Sequence, residues 1–98
     1  MKSVKAEVCW ISEEDGGRSI PAFGATYSTV ARFEDEKDRY PTEAWSLVLK
    51  LLGPSNQKHC TIAEVRFLVD DGPDRLLRRG SRFELYEGHH LVAKGTTL

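Results

Sequence analysis

The feature that most constrains this chain is a two-residue hydrophobic repeat that returns along most of its length. Val4, Ala6, Val8 and Trp10 alternate with Lys5, Glu7 and Cys9. Trp45, Leu47, Leu49 and Leu51 alternate with Ser46, Val48 and Lys50, and that run stops at Gly53-Pro54. Cys60 to Val69 reads as the longest run, with Thr61, Ala63, Val65, Phe67 and Val69 on one face. Successive side chains on a strand point to opposite faces, so each run describes a strand with one side in a core and the other in water. Thr29 to Phe33 reads as another strand, and Arg82 to Tyr86 with Leu91 to Thr96 as a closing hairpin around Glu87-Gly88-His89-His90. Between them lie a polar turn at Glu13 to Arg18, where Gly16-Gly17 can take positive φ, and a charged loop at Asp35 to Pro41. A helix over Thr42 to Leu52 also fits Glu43, Ala44, Leu47 and Leu51, but Pro41 and Pro54 flank it and the even spacing of strands favours β. Six short strands joined by turns predict an all-β fold: a single small antiparallel six-stranded barrel, whose closure leaves no exposed sheet edge. Trp10, Val65 and Phe67, with Phe83 or Leu85, are expected inside it.

The 98 residues suffice for one hydrophobic core and not two, so 1–98 reads as one domain. An apolar share of 40% beside 30% charged residues is that of a soluble globular chain. No run approaches the roughly 20 apolar residues of a membrane span. Met1-Lys2-Ser3-Val4 leads into a strand pattern rather than an apolar signal core, which predicts a cytoplasmic protein without a membrane partner. In that setting Cys9 and Cys60 are expected as reduced thiols. The net charge of -1 weighs against non-specific nucleic-acid binding, which needs a clearly basic surface.

Catalytic patterns are missing. There is no G-x-x-x-x-G-K-[ST] loop to cradle a nucleotide, no H-E-x-x-H and no C-x-x-C. His59 beside Cys60, and His89 beside His90, are sequence neighbours that a strand would point to opposite faces, so no metal site is predicted. Cys9 lies opposite the Val8/Trp10 face with no base or oxyanion hole supplied, so the chain reads as a non-enzyme without cofactor. Asp70-Asp71 and Glu34 to Asp38 read as solvated loops, and Trp10 and Trp45 as core. Arg75, Arg78, Arg79 and Arg82, interleaved with Leu76, Leu77 and Phe83, leave two readings open. Either the leucines cap one barrel end while the arginines face water, or the guanidinium groups form a patch for phosphate or carboxylate.

Two segments carry a resemblance. Glu14-Asp15-Gly16-Gly17-Arg18-Ser19-Ile20-Pro21 lies near the start, and Arg82-Phe83-Glu84-Leu85-Tyr86-Glu87-Gly88 runs on to Gly95 near the end. In type, order and separation they resemble the E-x-G-G-R-x-x-P turn and the R-F-x-x-x-E-G hairpin of the third, C-terminal β-barrel domain of bacterial elongation factor Tu. The resemblance runs from about Lys5 to Thr97, with no counterpart for Glu34 to His59. It implies the same barrel without its GTPase domain, and so a chain that does not bind GTP. That domain binds the T-arm of aminoacyl-tRNA and helps receive the nucleotide-exchange factor. By resemblance, a shared binding face is expected at Arg18, Glu87 and Gly88, joined by His89. Its partner would be structured RNA (tRNA-like) or a protein of the translation machinery. The alternative is a regulatory or immunity-type protein that imitates the barrel to bind a protein partner. The family's Tyr-Arg-Pro is Tyr27-Ser28-Thr29 here, a family lysine falls at Val69, and Arg18 can instead pair with an acidic neighbour such as Glu14.

Overall fold

The computed structural model describes residues 3–21, 24–34, 45–56, 58–69 and 72–98. Within them the chain forms β1 (Val4–Trp10), β2 (Thr26–Phe33), β3 (Trp45–Leu51), β4 (Cys60–Phe67), β5 (Arg82–Glu87) and β6 (His90–Thr97). The strands close into a barrel in the order β1-β4-β3-β2-β5-β6, with β6 returning to β1 and every neighbouring pair antiparallel. The fold is therefore the all-β, six-stranded antiparallel barrel that the alternation predicts. The helical elements described are 3-10 turns at Glu13–Asp15 and Asp74–Leu77, and Trp45 to Leu51 is strand rather than helix. The charged loop expected at Asp35 to Pro41 and the acidic pair Asp70-Asp71 lie outside the described residues.

Inward positions follow the predicted parity. Ala6, Val8, Trp10, Leu47, Leu49, Leu51, Ala63, Val65 and Phe67 are all buried, as are both Phe83 and Leu85. The registers sort them into two ends. Phe33, Phe67 and Phe83 fill one end, with ring centroids 5.8 Å (Phe33–Phe67) and 5.6 Å (Phe33–Phe83) apart, and Trp45 meets Phe67 edge-on at 5.9 Å. Trp10 fills the other, edge-on to Tyr27 at 5.5 Å. The 3-10 turn Asp74–Leu77 plugs the phenylalanine end: Leu76 and Leu77 are buried, while Arg75, Arg78, Arg79 and Arg82 are exposed. Each buried leucine contributes about 1.5–3 kcal/mol relative to exposure. The placement is that of the leucine-cap reading.

The boundaries differ from expectation where the barrel turns polar. β2 begins at Thr26 rather than Thr29, and its Thr26 and Ser28 face water. β4 ends at Phe67, no longer than β2 or β6, and Val69, expected inward with Phe67, is exposed beyond the strand. Val48 has outward parity yet is only 7% exposed; it lies between Ser28 and Arg66 in the register and outside the main core cluster. β6 carries one residue more than β5 opposes: the pairing steps from Leu85↔Ala93 to Tyr86↔Leu91, and the skipped Val92 is buried. A bulge of this kind bends a strand, which helps a small sheet close on itself.

The expectation of reduced thiols is overturned, because Cys9 and Cys60 form a disulfide. β1 and β4 are antiparallel with Cys9 directly opposite Cys60. The adjacent pair, Trp10 and His59, carries the ladder hydrogen bond, Trp10 N to His59 O at 3.0 Å. The cysteines therefore occupy a non-hydrogen-bonded position, where opposed side chains come closest. Asn56 sets this register. Its Oδ1 accepts from Lys58 N (2.8 Å) and Cys60 N (3.1 Å), and the turn passes through His59 at φ 62° into β4. Asparagine favours such turns by mimicking a backbone acceptor.

Candidate binding site at the barrel mouth

The first turn folds back onto the end of β1. Ser12 caps Glu13–Asp15 by accepting from Asp15 N, and Gly16 ends it in the left-handed region at φ 91°. Gly17 N then donates to Ser12 O (2.8 Å) and Arg18 N to Ile11 O (3.1 Å). A Cβ on Gly17 would collide with the backbone of Ile11, so close approach, rather than positive φ, is what requires glycine here. The reversal delivers Arg18 to the open, Trp10 end of the barrel.

At that mouth Arg18 meets the closing hairpin. Arg18 Nη1 lies 2.7 Å from Glu87 Oε2, Arg18 Nε donates to Ser19 O at 2.7 Å, and the Tyr27 hydroxyl donates to the same Glu87 oxygen. The guanidinium carbon stands 4.8 Å from the Tyr27 ring centroid, and Tyr27 rests on buried Trp10. A cation near an aromatic face is held by the ring quadrupole. Arg18 therefore pairs across the mouth with Glu87, not with Glu14. Tyr27 is the member of this cluster that sequence reasoning passed over; its signal is its inward parity on β2 with Thr29, Ala31 and Phe33.

The two-residue turn Gly88-His89 projects beyond this contact, with Glu87 paired to His90. Gly88 has φ 63° with open space where a side chain would stand, and Gly88 and His89 are both exposed. Glycine at the first central position suits a hairpin turn whose twist matches the strands. The structure thus brings Arg18 and Glu87 together and sets Gly88 and His89 on the adjoining tip.

The electrostatics bind the cluster internally. The Tyr27 hydroxyl first, and then Arg18, hold the Glu87 carboxyl below the usual carboxylate range, with a smaller contribution from His90. The Arg18 guanidinium is pushed up, chiefly by Glu87, and burial raises the Tyr27 phenol. A carboxyl depressed in the folded state stabilises above its unfolded pKa of about 4.3, and that contribution is lost as pH falls through the folded value. Glu87 is 43% exposed, so solvent discounts the pair. A double-mutant cycle of Arg18→Ala and Glu87→Gln is expected to give below about 1 kcal/mol of coupling at pH 7, weakening as pH falls through the folded value of Glu87. A coupling that does not weaken down to the lowest pH at which the barrel stays folded would show that charge is not its source.

The disulfide takes both sulfurs, which removes Cys60 as a metal ligand beside His59 and either cysteine as a resting nucleophile. Among the described residues no group of three His, Cys, Asp or Glu side chains is arranged to hold a metal ion, and no helix is long and apolar enough to cross a membrane. No family model matches this chain, and no curated protein matches it.

Proposed function

We propose that this chain is a non-catalytic β-barrel binding module that takes a protein partner at the mouth built from Arg18, Tyr27, Glu87, Gly88 and His89. The observation that carries the reading is the convergence of the first turn and the last hairpin on Tyr27, beside an exposed glycine tip. The resemblance to the elongation factor Tu barrel supplies the same face by a separate route. Because Glu87 already matches the Arg18 charge, the mouth offers an aromatic-backed, internally neutralised surface rather than a bare cation for phosphate. Arginine and tyrosine are enriched in protein interfaces, where they carry much of the binding energy. The Cys9–Cys60 disulfide supports an oxidising setting for this binding, rather than the cytoplasm read from the sequence.

The test is capture on the immobilised oxidised protein, compared with Arg18→Ala and Gly88→Val, alongside titration with total tRNA at two salt concentrations. The expected result is one protein retained by the wild type and weakened about tenfold or more by each substitution, with Tm nearly unchanged for Arg18→Ala. Binding of tRNA that falls steeply with salt and is lost in Arg18→Ala would replace the protein partner by RNA. Equal capture by all three proteins would remove the mouth from consideration.

A further inference from the structure

A second concave surface lies on the outer wall of the barrel, away from the mouth. A groove of about 420 Å³ crosses β2, β5 and β6, with Arg32, Arg82, Glu84, Lys94 and Thr96 among its lining residues. A smaller cleft of about 230 Å³ adjoins it, shares Arg82 and Glu34, and adds Arg78, Arg79 and Ser81. The registers explain the assembly. Arg32, Glu84 and Lys94 stand in one cross-strand row, and Arg82 stands opposite Thr96 in the next. Opposed side chains begin about 5 Å apart and diagonal ones about 7–8 Å, so all five reach a common space. The floor is tight, because Gly95 lies flush against the Phe83 ring.

The charges in the groove are unevenly matched. Glu84 Oε1 receives Arg32 Nη1 at 3.1 Å and the Tyr86 hydroxyl at 3.0 Å. Neither Arg82 nor Lys94 has an ion pair among the described residues, although Lys94 stands directly opposite Glu84. The groove therefore holds one internally balanced arginine, two cations without an ion pair among the described residues, and the Glu34 carboxylate, on a chain whose net charge is -1.

We propose that this groove is a binding site for a compact phosphate dianion, held by Arg82 and Lys94 with Arg32 positioned as a third donor by Glu84 and Tyr86. Three cationic side chains against the two carboxylates Glu34 and Glu84 leave the groove net positive. The guanidinium fork suits phosphate oxygens, and Thr96 adds a hydroxyl on the same wall. An extended polyanion running from the groove into the smaller cleft would meet Glu34, which lines both. A single terminal phosphate meets that carboxylate only within the groove, where Arg82 and Lys94 oppose it. The site stands on residues separate from the mouth, so it holds or fails independently of the protein-partner reading.

Amide NMR titration of the full oxidised chain tests it, using inorganic phosphate, uridine 5′-monophosphate and a single-stranded oligouridylate as separate probes. The expected result is saturable shifts at Arg82, Lys94 and Thr96 with phosphate and the monophosphate, at an affinity of about millimolar order. Arg82→Gln and Lys94→Gln should each weaken both probes at least about fivefold, and the double substitution should abolish saturation. Arg18→Ala should leave the affinity unchanged. Both groove positions are exposed, so a dispersed spectrum in each variant separates lost binding from lost folding. Shifts no larger than those from chloride at equal ionic strength would overturn the proposal. So would saturation by the oligouridylate alone, or shifts centred on Arg18 and Glu87.

Discussion

Removing the Cys9–Cys60 crosslink is expected to cost the barrel about 4 kcal/mol. The cysteines are separated by 51 positions in sequence. In the chain-entropy account, opening a loop of that length returns about 14 cal/mol/K to the denatured chain, which is about 4 kcal/mol at room temperature. The native state loses little in exchange, because both side chains lie on the outer wall and are only half-buried. A domain of this size is typically stable by about 5–15 kcal/mol, so the loss is a large share of the total. Urea unfolding of the Cys9→Ala/Cys60→Ala protein against the oxidised wild type measures it, with a lower midpoint and a steeper slope, because the denatured chain without the crosslink exposes more surface. A difference below about 1 kcal/mol would mean that β1 and β4 already sit together in the denatured chain, so that the crosslink constrains nothing there.

Phe83→Ala is expected to be of similar size, at about 3–5 kcal/mol. Phe83 is 2% exposed and packs on Phe33, and its ring occupies the space that any side chain at position 95 would need. Gly95→Ala alone should therefore overpack the same site and cost about 1–3 kcal/mol. The two changes should not add. A methyl at position 95 enters the volume that the ring leaves, so the double variant should be more stable than the sum of the singles by roughly 1 kcal/mol. Chemical denaturation of the four proteins settles this. Simple additivity would mean that the two residues do not share that volume.

Much of the barrel was legible because its strands are half-wet: Ala6, Val8 and Trp10 could not satisfy their alternation in a helix. The parts that were not legible depend on neighbours that alternation does not name. The Cys9–Cys60 bond follows from the placement of β4 beside β1, a consequence of barrel closure across long connections rather than of any local signal. The choice of ion-pair partner for Arg18 was open for the same reason. Glu14 is near in sequence, while Glu87 arrives only when the last hairpin closes over the mouth. Tyr27 was overlooked because β2 begins among polar residues at the wet rim, where alternation fades. Val48 shows the converse, with outward parity that did not ensure exposure.

The pairing of β6 with β1, which sets Ala6 opposite Thr97, has a consequence for how the molecule is made. During synthesis β1 emerges first and must wait for both of its neighbours, β4 and then β6. Until the last strand leaves the ribosome, one side of β1 and one side of β5 are open templates for other chains. Folding therefore waits for β6 and is dominated by distant contacts, which makes it slow for a barrel of this size. Release of a chain lacking β6 would yield not a weakened barrel but an aggregation-prone open sheet.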